Sequence, residues 1–473
     1  MEEVRIAPME RQRLSALLSD DRNDLFDTVA AQAREFLGGR VIWNVNATAH
    51  GGGVAEMLQT LLAYVRGVGV DTRWWVLKGS PDFFVVTKRL HNVLHGEPGD
   101  GGPLGDAEHA LLAETLRPDI DHLVSLVGPG DVVVLHDPQT AGMVRRIRDT
   151  HAKVVWRCHI GRDTPTALTA QGWAFLRPLI EDADAFVFSR REYAPEWIVP
   201  EKLHVITPSI DPFSAKNAPM ADDVVAATLV RAGLIADTTD PREVAFVRRD
   251  GTPGATRQHT GLDINGMPIP VHARLVVQVS RWDRLKDMAG VLEGFVGALD
   301  NLPDDVHLLL VGPEASGVSD DPEGVASLAE CRSRWERLDS AHQRRVHLVC
   351  LPMDDVDENA HLVNALQRRA AVVVQKSLVE GFGLTVTEAM WKARPLVASA
   401  IGGIQDQIVD GEHGLLLEDP HDLDAFAHAL SRVLDDPGLA AELGAGAHER
   451  VYDRFLGDRH LEAYADLFRT LLS

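Results

Sequence analysis

The residues with the clearest chemical pattern are two glutamates in KSLVEGFGLTVTEAMW, residues 376–391. Glu380 lies in a predicted loop, and Glu388 falls inside the helix that follows. Glycines 381 and 383 free the turn, so the backbone amides of residues 382–385 can point at an anion at the helix start. A carboxylate beside such a loop can accept hydrogen bonds from sugar hydroxyls. The pattern E-G-F-G-L-x-x-x-E therefore favours a ligand site over an amphipathic helix with incidental acids.

A pair of cations follows a predicted strand in SRWDRLKD, residues 280–287. Arg281 and Lys286 lie at the carboxyl end of that strand, where ligands bind in open α/β sheets. Two converging cations suit a diphosphate, whose charge they would neutralise. Basic residues are common in loops, so a solvated surface is an equally good interpretation of this pair alone.

Two motifs in the first half of the chain also follow predicted strands. HGGGVAE, residues 50–56, places three glycines between a strand and a helix, where the backbone can approach an anionic ligand. Its spacing is not G-x-G-x-x-G, and a glycine-rich turn without a ligand is the alternative. His159 closes the strand in WRCHI. Its position is equally compatible with a structural and a catalytic role.

Strand-like and helix-like runs alternate almost throughout, the pattern of parallel sheets covered by helices. Residues 211–270 are polar and weakly periodic, which indicates a connector or a long excursion. Two doubly wound units joined there would form a cleft facing the carboxyl ends of both sheets. From Leu439 onward the pattern is continuously helical. The predicted strands are 40–47, 71–78, 131–137, 153–159, 185–189, 204–210, 274–280, 307–313, 346–352, 371–377, 395–400 and 413–418.

Composition excludes several classes of protein. The 473 residues are 45% hydrophobic and 25% charged, as in globular domains, and the net charge is −23. That charge opposes binding of nucleic acid or anionic membranes through bulk electrostatics. Three cysteines without C-x-x-C spacing support neither a disulfide framework nor a zinc site. Without a signal-like start or an apolar run of about 20 residues, the sequence predicts a soluble, cytoplasmic protein.

Together these residues resemble the retaining family-4 glycosyltransferases of the GT-B fold. The two glutamates, the Arg281/Lys286 pair and the glycine-rich loop occur in the family's order. Within the family the chain is most similar to trehalose-forming synthases and trehalose phosphorylases, over about residues 38–455. That similarity lies in IWNVNATAHGGGVAEML, DFFVVTKRLHNVLHG, VVWRCHI, SIDPFSAKN, QVSRWDRLKD, LVNALQRRA and EGFGLTVTEAMWKARPLVASAIGGIQDQIVDGEHGLLL.

The resemblance implies two doubly wound Rossmann-like domains of the α/β class that face a central cleft. The N-terminal, acceptor-side domain would span residues 1–210, and the nucleotide-sugar-binding domain residues 211–455. A helix over residues 456–473 would cross back onto the N-terminal domain.

The resemblance also implies roles for single residues. Glu388 would hold the ribose hydroxyls of the donor nucleotide and Glu380 the hydroxyls of its sugar. Arg281 and Lys286 would grip the diphosphate, and His159 would be the active-site histidine. Backbone amides of two loops would assist on the donor side, in Gly51, Gly52, Gly53, Gly381, Phe382, Gly383, Leu384 and Thr385. The acceptor would lie near Asn46, His159, Arg162 and Asp163.

The expected activity is metal-independent, cofactor-free and reversible front-face transfer of glucose, with retention, from a nucleoside-diphosphate glucose to a small sugar acceptor. With glucose as acceptor the product is trehalose, and a homodimer is plausible. Where trehalose-forming members carry an acidic residue after WRCHI, this chain has Gly161-Arg162-Asp163. That departure leaves open a cyclitol or polyol acceptor. Two rival functions are a trehalose phosphorylase that uses inorganic phosphate and a non-catalytic protein that binds a sugar or a nucleotide.

Overall fold

The chain folds into two compact units, each built around a seven-stranded sheet. Unit 1 comprises Met1–Ser209 and Phe455–Ser473, and unit 2 comprises Ile210–Arg454. The first division lies one residue before the position expected from the sequence. The predicted α/β class is confirmed. The computed structural model describes residues 1–49, 52–236, 242–259, 262–266, 269–314 and 322–473.

The sheet of unit 1 has the order β1-β3-β2-β4-β5-β6-β7. All neighbours are parallel except β1, which runs antiparallel to β3. The six parallel strands were predicted, whereas β1 has only three residues at an edge and too little pattern to be found. The strands are β1 Glu2–Val4, β2 Ile42–Asn46, β3 Thr72–Val76, β4 Val132–His136, β5 Lys153–Cys158, β6 Ala185–Phe188 and β7 Leu203–Val205.

Helices cover this sheet, and its central strands are buried. Every residue of β4 and all but the first residue of β5 are buried, as expected for a parallel sheet packed on both faces. Large side chains such as Trp43, Trp156 and Phe186 fill the core. The helices that precede unit 2 are α1 Gln12–Ser15, α2 Asp20–Phe36, α3 Gly53–Gly67, α4 Pro81–Leu94, α5 Asp106–Val124, α6 Val144–Arg148 and α7 Ala167–Ile180.

Unit 2 repeats the architecture with a different strand order. Its large sheet runs β11-β15-β14-β13-β16-β17-β18, with only the edge strand β11 antiparallel. Two small sheets pair β8 with β12 and β9 with β10. The strands are β8 Ile235–Ala236, β9 Ala245–Val247, β10 Pro253–Ala255, β11 Asp263–Asn265, β12 Ile269–Pro270, β13 Arg274–Val279, β14 Val306–Pro313, β15 Val346–Leu351, β16 Ala370–Gln375, β17 Leu396–Ser399 and β18 Leu415–Leu417.

The weakly periodic region of residues 211–270, expected to be a connector or a long excursion, contains regular secondary structure. The described part of this region contains a helix, most of the short strands and the edge strand β11. The strands have only two to three residues each, so no periodicity could reveal them. The helices of unit 2 are α8 Asp222–Arg231, α9 Met288–Ala298, α10 Pro322–Glu336, α11 Ser340–Gln343, α12 Val356–Arg369, α13 Leu384–Trp391, α14 Ile404–Gln407, α15 Leu423–Asp435 and α16 Pro437–Arg454.

The strand order of unit 2 creates a topological switch point. Counted in chain order, its parallel strands lie in the sequence 3-2-1-4-5-6, and β13 and β16 are the neighbours at which the winding reverses. Loops after two such strands diverge to opposite faces of the sheet and leave a crevice between them. The predicted cation pair and the E-G-F-G motif occupy these two loops.

The continuously helical pattern from Leu439 onward forms two helices, and the second lies within residues 456–473, where a helix was expected. Helix α16 ends at Arg454, and a separate helix, α17 Gly457–Leu472, follows in unit 1. The buried Phe455 and Leu456 lie between them, so the chain leaves unit 2 here while its apolar spacing continues. The α17 residues Leu467 and Phe468 pack into a cluster with residues of α2 and the unit 1 sheet. None of the described helices is long and apolar enough to cross a membrane.

A buried ion pair fastens α17 to α2. Arg22 donates to Asp458 from Nε at 3.0 Å and from a terminal nitrogen at 2.6 Å, and both side chains are buried. Asp458→Ala should lower the free energy of unfolding of unit 1 by about 3–5 kcal/mol, because it leaves a buried guanidinium without its carboxylate.

Urea denaturation followed by circular dichroism measures this loss. The matched control is Asp466→Ala, which removes an exposed carboxylate of the same helix that pairs with Arg469 at 2.6 Å. It should change the free energy by about 1 kcal/mol or less. Equal losses in the two variants would contradict a special role for the buried pair.

Candidate functional site

An ion pair bridges the two loops at the switch point of unit 2. Lys286 Nζ lies 2.7 Å from Glu380 Oε2, and both side chains are largely buried. The Ser377 hydroxyl donates to the same carboxylate oxygen at 3.2 Å. Lys286 follows β13 and Glu380 follows β16, so the parallel pairing of these strands brings the two together. A cation and a carboxylate that point into one crevice can bind an anion and a hydroxyl group side by side.

Two buried glutamines fix the positions of these two loops relative to each other. Gln278, in β13, donates from its amide nitrogen to the Lys286 carbonyl oxygen at 2.7 Å and accepts from the Lys376 backbone N–H at 3.3 Å. Gln375, the last residue of β16, donates to the Ser377 hydroxyl at 2.9 Å and accepts from the Thr385 hydroxyl at 3.0 Å. Each amide bridges segments that carry predicted donor-side residues, so the loop geometry is fixed from inside the sheet.

Arg281 lies in the same loop as Lys286 but is more open to solvent. Its guanidinium contacts the Asp283 carboxylate at 3.2 Å, and about half of its side chain is exposed. Asp283 also accepts the Leu285 N–H at 2.9 Å, which fixes its carboxylate within the loop. The structure thus brings Lys286 and Glu380 into direct contact, whereas Arg281 contacts Asp283.

The E-G-F-G loop leads directly into α13. Gly383 precedes the helix with a φ of 85°, a left-handed conformation that favours glycine. Leu384 and Thr385 begin the helix, where backbone N–H groups lack acceptors within the helix and the macrodipole favours an anion. The predicted amides of residues 381–385 therefore lie at this turn and the first helical residues.

Glu388 is a buried carboxylate on α13. It is 4% exposed, and Lys216 Nζ lies 3.6 Å from its Oε1. Lys392 donates to the Glu388 carbonyl oxygen at 3.0 Å and to Asn217 and Gln367 side-chain oxygens at 2.9 and 2.8 Å. Burial lowers the pKa of Lys392 to about 7, and the Glu388 carboxylate opposes that shift.

In unit 1, polar residues follow three adjacent strands. Asn46 is the last residue of β2, Asp137 follows β4, and His159 follows β5. In chain order the parallel strands lie 2-1-3-4-5-6, so β2 and β4 flank the switch point of this sheet. The Asp137 carboxylate accepts the His159 backbone N–H at 2.7 Å. Asp137 has a φ of 65°, an uncommon conformation that aspartate tolerates better than most residues.

The His159 ring is surrounded by basic side chains. Arg157 Nε donates to the ring at 3.1 Å, and His136 Nδ1 lies 3.2 Å from His159 Nε2. Arg157 is fully buried and also donates to the Tyr464 hydroxyl at 2.9 Å and the Ile206 carbonyl at 3.0 Å. Helix α17 therefore contributes to the surroundings of His159 through Tyr464.

Burial and charge set the protonation of this group. Burial lowers the pKa of His159 well below its ordinary value, and the Arg157 guanidinium lowers it further. The pKa of His136 falls to about 3 for the same two reasons. Burial raises the pKa of Asp137 to about 7, although the hydrogen bond from the His159 amide opposes the shift. At neutral pH both imidazoles are therefore neutral and can exchange hydrogen bonds with hydroxyl groups.

The other predicted acceptor-side residues are bound within unit 1. The Asn46 side chain accepts from Trp74 Nε1 at 2.8 Å and donates to the Thr48 carbonyl at 2.7 Å. Arg162 donates to the His95 carbonyl at 3.1 Å, and Asp163 forms an ion pair with Arg190.

The glycine-rich loop of unit 1 is described only in part. Gly52 has a φ of 85°, and Gly53 begins α3. Gly51 lies outside the described residues.

Both halves of the chain match known families. Residues 44–195 match the model of the trehalose synthase N-terminal domain, and residues 263–450 match glycosyl transferases group 1. The trehalose synthase of Thermococcus litoralis is 33% identical over 449 residues, which are 95% of this chain and 94% of that protein. The chain belongs to the trehalose synthase family.

Two more comparisons concern a second curated relative and a solved structure of similar fold. The trehalose phosphorylase of Pleurotus pulmonarius is 26% identical over 431 residues, which are 86% of this chain and 54% of that protein. An α,α-trehalose-phosphate synthase (UDP-forming) from Burkholderia vietnamiensis aligns with a TM-score of 0.64 and 16% identity, over 92% of this chain and 99% of that chain. The GT-B fold expected from the sequence is confirmed, and this family member is a hexosyltransferase of trehalose metabolism.

Sequence reasoning missed the residues that support the site of this family member. Gln278 and Gln375 interrupt the otherwise apolar strands VVQVS and VVVQKS, and a buried amide in such a strand signals a polar partner at its end. Asp137 follows β4 in LHD, a strand-end position equivalent to that of His159. Arg157 had no comparable signal, because its partner Tyr464 lies far away in the chain.

The raised pKa of Asp137 predicts a pH-dependent stability. Between about pH 4 and 7 the native carboxyl retains a proton that the unfolded chain releases, so its contribution to stability falls as the pH rises. Asp137→Asn removes this titration and keeps an oxygen acceptor for the His159 amide. Relative to the unsubstituted protein, the variant should gain on the order of 2 kcal/mol between pH 5 and pH 8.

Urea denaturation of both proteins at both pH values measures this gain. The neighbouring histidines are present in both proteins, so their titration largely cancels in the difference. A stability difference that does not change with pH would contradict the raised pKa.

Proposed function

We propose that this chain transfers a glucosyl unit from a nucleoside-diphosphate glucose to glucose, with retention of configuration, and so forms trehalose reversibly. The observation that carries the proposal is the 2.7 Å contact between Lys286 and Glu380 at the switch point of unit 2. It offers a cation for a phosphate beside a carboxylate for sugar hydroxyls, the two groups that meet in a nucleotide sugar.

On the donor side, each group matches one part of the nucleotide sugar. Lys286 and Arg281 would bind the diphosphate, with help from the amides at the start of α13. Glu380 would accept hydrogen bonds from the glucose hydroxyls. Glu388 is buried, and its carboxylate lies close to the Lys216 ammonium. This environment suits a carboxylate that accepts hydrogen bonds from ribose hydroxyls.

On the acceptor side, the proposal assigns hydroxyl binding to the group around His159. A neutral imidazole can both donate to and accept from a sugar hydroxyl, whereas an imidazolium can only donate. The depressed pKa of His159 keeps the ring neutral at the pH of an ordinary assay. Asp137 lies next to it and offers a second oxygen.

The chemistry needs little beyond positioning and charge. In front-face transfer, the bond from the anomeric carbon to the donor phosphate oxygen breaks while the acceptor oxygen bonds to the same face. The proton of the acceptor passes to the departing phosphate oxygen. Lys286 and Arg281 would stabilise the charge that grows on this leaving group, a task that fixed cations can perform without a metal ion.

A second candidate is phosphorolysis of trehalose. The 26% identity with a trehalose phosphorylase supports it, because inorganic phosphate could occupy the position assigned to the diphosphate. A different acceptor, such as a cyclitol or polyol, is the third, since Gly161-Arg162-Asp163 follows WRCHI where an acidic residue was expected.

One assay separates these functions. The purified protein is incubated with ADP-, UDP- or GDP-glucose, without acceptor or with glucose, a cyclitol or a polyol, and in parallel with trehalose and phosphate. Glucose-dependent release of the nucleoside diphosphate together with an α,α-linked disaccharide is the expected result. Activity only with trehalose and phosphate would favour the phosphorylase, and release only with a cyclitol or polyol would change the acceptor. Absence of turnover in every mixture would contradict all three.

Replacing Lys286 tests the donor assignment. Lys286→Ala should lower kcat by about 100- to 1,000-fold, because a preorganised charge on the leaving group is lost. The control is Arg284→Ala, which removes an exposed cation two residues away in the same loop and should leave kcat near that of the unsubstituted protein. Steady-state kinetics with saturating donor and acceptor measure both. Equal kcat values in the two variants would refute the assignment.

A further inference from the structure

A second ion pair joins the same two loops from inside unit 2. Lys376, the first residue after β16, is fully buried. Its Nζ contacts the Asp287 carboxylate and donates to the Pro420 carbonyl oxygen at 2.7 Å. Asp287 directly follows Lys286, and Lys376 precedes Glu380 in its loop. The same two loops are thus connected by two ion pairs: Lys286 with Glu380, the outer pair, and Lys376 with Asp287, the inner pair.

The Asp287 carboxylate is fixed in place by more than Lys376. Asp287 caps α9, where its side chain accepts the Gly290 N–H at 3.1 Å. A Cβ at position 290 would lie 2.3 Å from Asp287 Oδ2, so a side chain there would displace the Asp287 carboxylate. The φ of Asp287 is 49°, which sets the direction in which the chain leaves Lys286.

Three consecutive residues of the first loop are bonded to the second loop or to the sheet beneath it. The Leu285 carbonyl accepts the Leu378 N–H at 2.8 Å. The Lys286 carbonyl accepts the amide of Gln278, and Asp287 pairs with Lys376. The backbone is therefore fixed at Lys286 and at the residues directly before and after it.

We propose that Lys376 and Asp287 are positioning residues for glycosyl transfer. Lys376 is fully buried and bound to Asp287 and Pro420, so its ammonium does not reach a ligand; it acts through Lys286, whose backbone direction the inner pair fixes. The inference rests on the proposed function of Lys286 at the diphosphate. It explains why the chain keeps a charged side chain inside unit 2, where its desolvation is costly unless it is paired.

The test is a double-mutant cycle on turnover. Lys376→Met keeps the length of the side chain and removes its charge. It should lower kcat by about 10- to 100-fold, as expected when a catalytic cation is displaced by about 1 Å. Because Lys376 acts through Lys286, the variant with both Lys286→Met and Lys376→Met should have a kcat within about threefold of Lys286→Met alone.

Two further variants keep the test decisive. Arg274→Met removes an ion pair with Asp305 at the opposite end of β13 and should retain the kcat of the unsubstituted protein. If Lys376→Met does not fold, Lys376→Met combined with Asp287→Asn removes both charges and retains an oxygen acceptor for Gly290. The combined variant should show the same loss of kcat with a thermal transition close to that of the unsubstituted protein.

The outcomes distinguish the two proposals. Losses that multiply in the Lys286→Met, Lys376→Met variant would mean that Lys376 stabilises the fold independently, which overturns the positioning role. An unchanged kcat in Lys376→Met, with Lys286→Met impaired, overturns it as well and leaves the proposed function intact. An unchanged kcat in Lys286→Met would overturn the proposed function, and the positioning role with it.

Discussion

The adjacency of β13 and β16 is the constraint on which the donor side of this protein depends. Two other strands lie between them in the chain, yet they are parallel neighbours in the sheet. Their loops turn to opposite faces and open a crevice that neither strand could form alone. Lys286 and Glu380 meet only because of this pairing. Gln278 and Gln375 belong to the two strands, and their side-chain amides form hydrogen bonds with loop atoms. The pairing of the strands therefore also fixes the positions of the loops.

The polar side chains near the switch points differ in charge between the two units. In unit 2 the lysine and carboxylate side chains at the switch point form ion pairs, which suits recognition of an anion. In unit 1 burial works against ionisation of His136, His159 and Asp137. The Arg157 guanidinium acts in the same direction on the two histidines and in the opposite direction on Asp137. A largely uncharged set of donors and acceptors suits a neutral sugar. The division matches the proposed assignment of donor and acceptor.

The parts of the fold that repeat a strong local pattern were predictable from the sequence. The parallel strands, the loops that carry Lys286 and Glu380, and the helix that carries Glu388 all follow from apolar runs and glycine positions. Short edge strands such as β1 and β11 were not predictable, because they form by pairing with a sheet already present. The same holds for the partners of His159, since the contact of Arg157 with Tyr464 depends on where the chain returns. The break between α16 and α17 was hidden because the apolar spacing continues across it.

The return of residues 455–473 to unit 1 has a consequence for how the protein is made. Unit 2 is one continuous stretch, so it can fold on the ribosome as soon as it has emerged. The N-terminal part of unit 1 emerges first and must wait for α17, which is translated after all of unit 2. During that interval the apolar surface that Leu467 and Phe468 later cover is exposed, and Arg22 lacks Asp458. This nascent intermediate is the stage at which a chaperone that binds apolar segments would engage the chain.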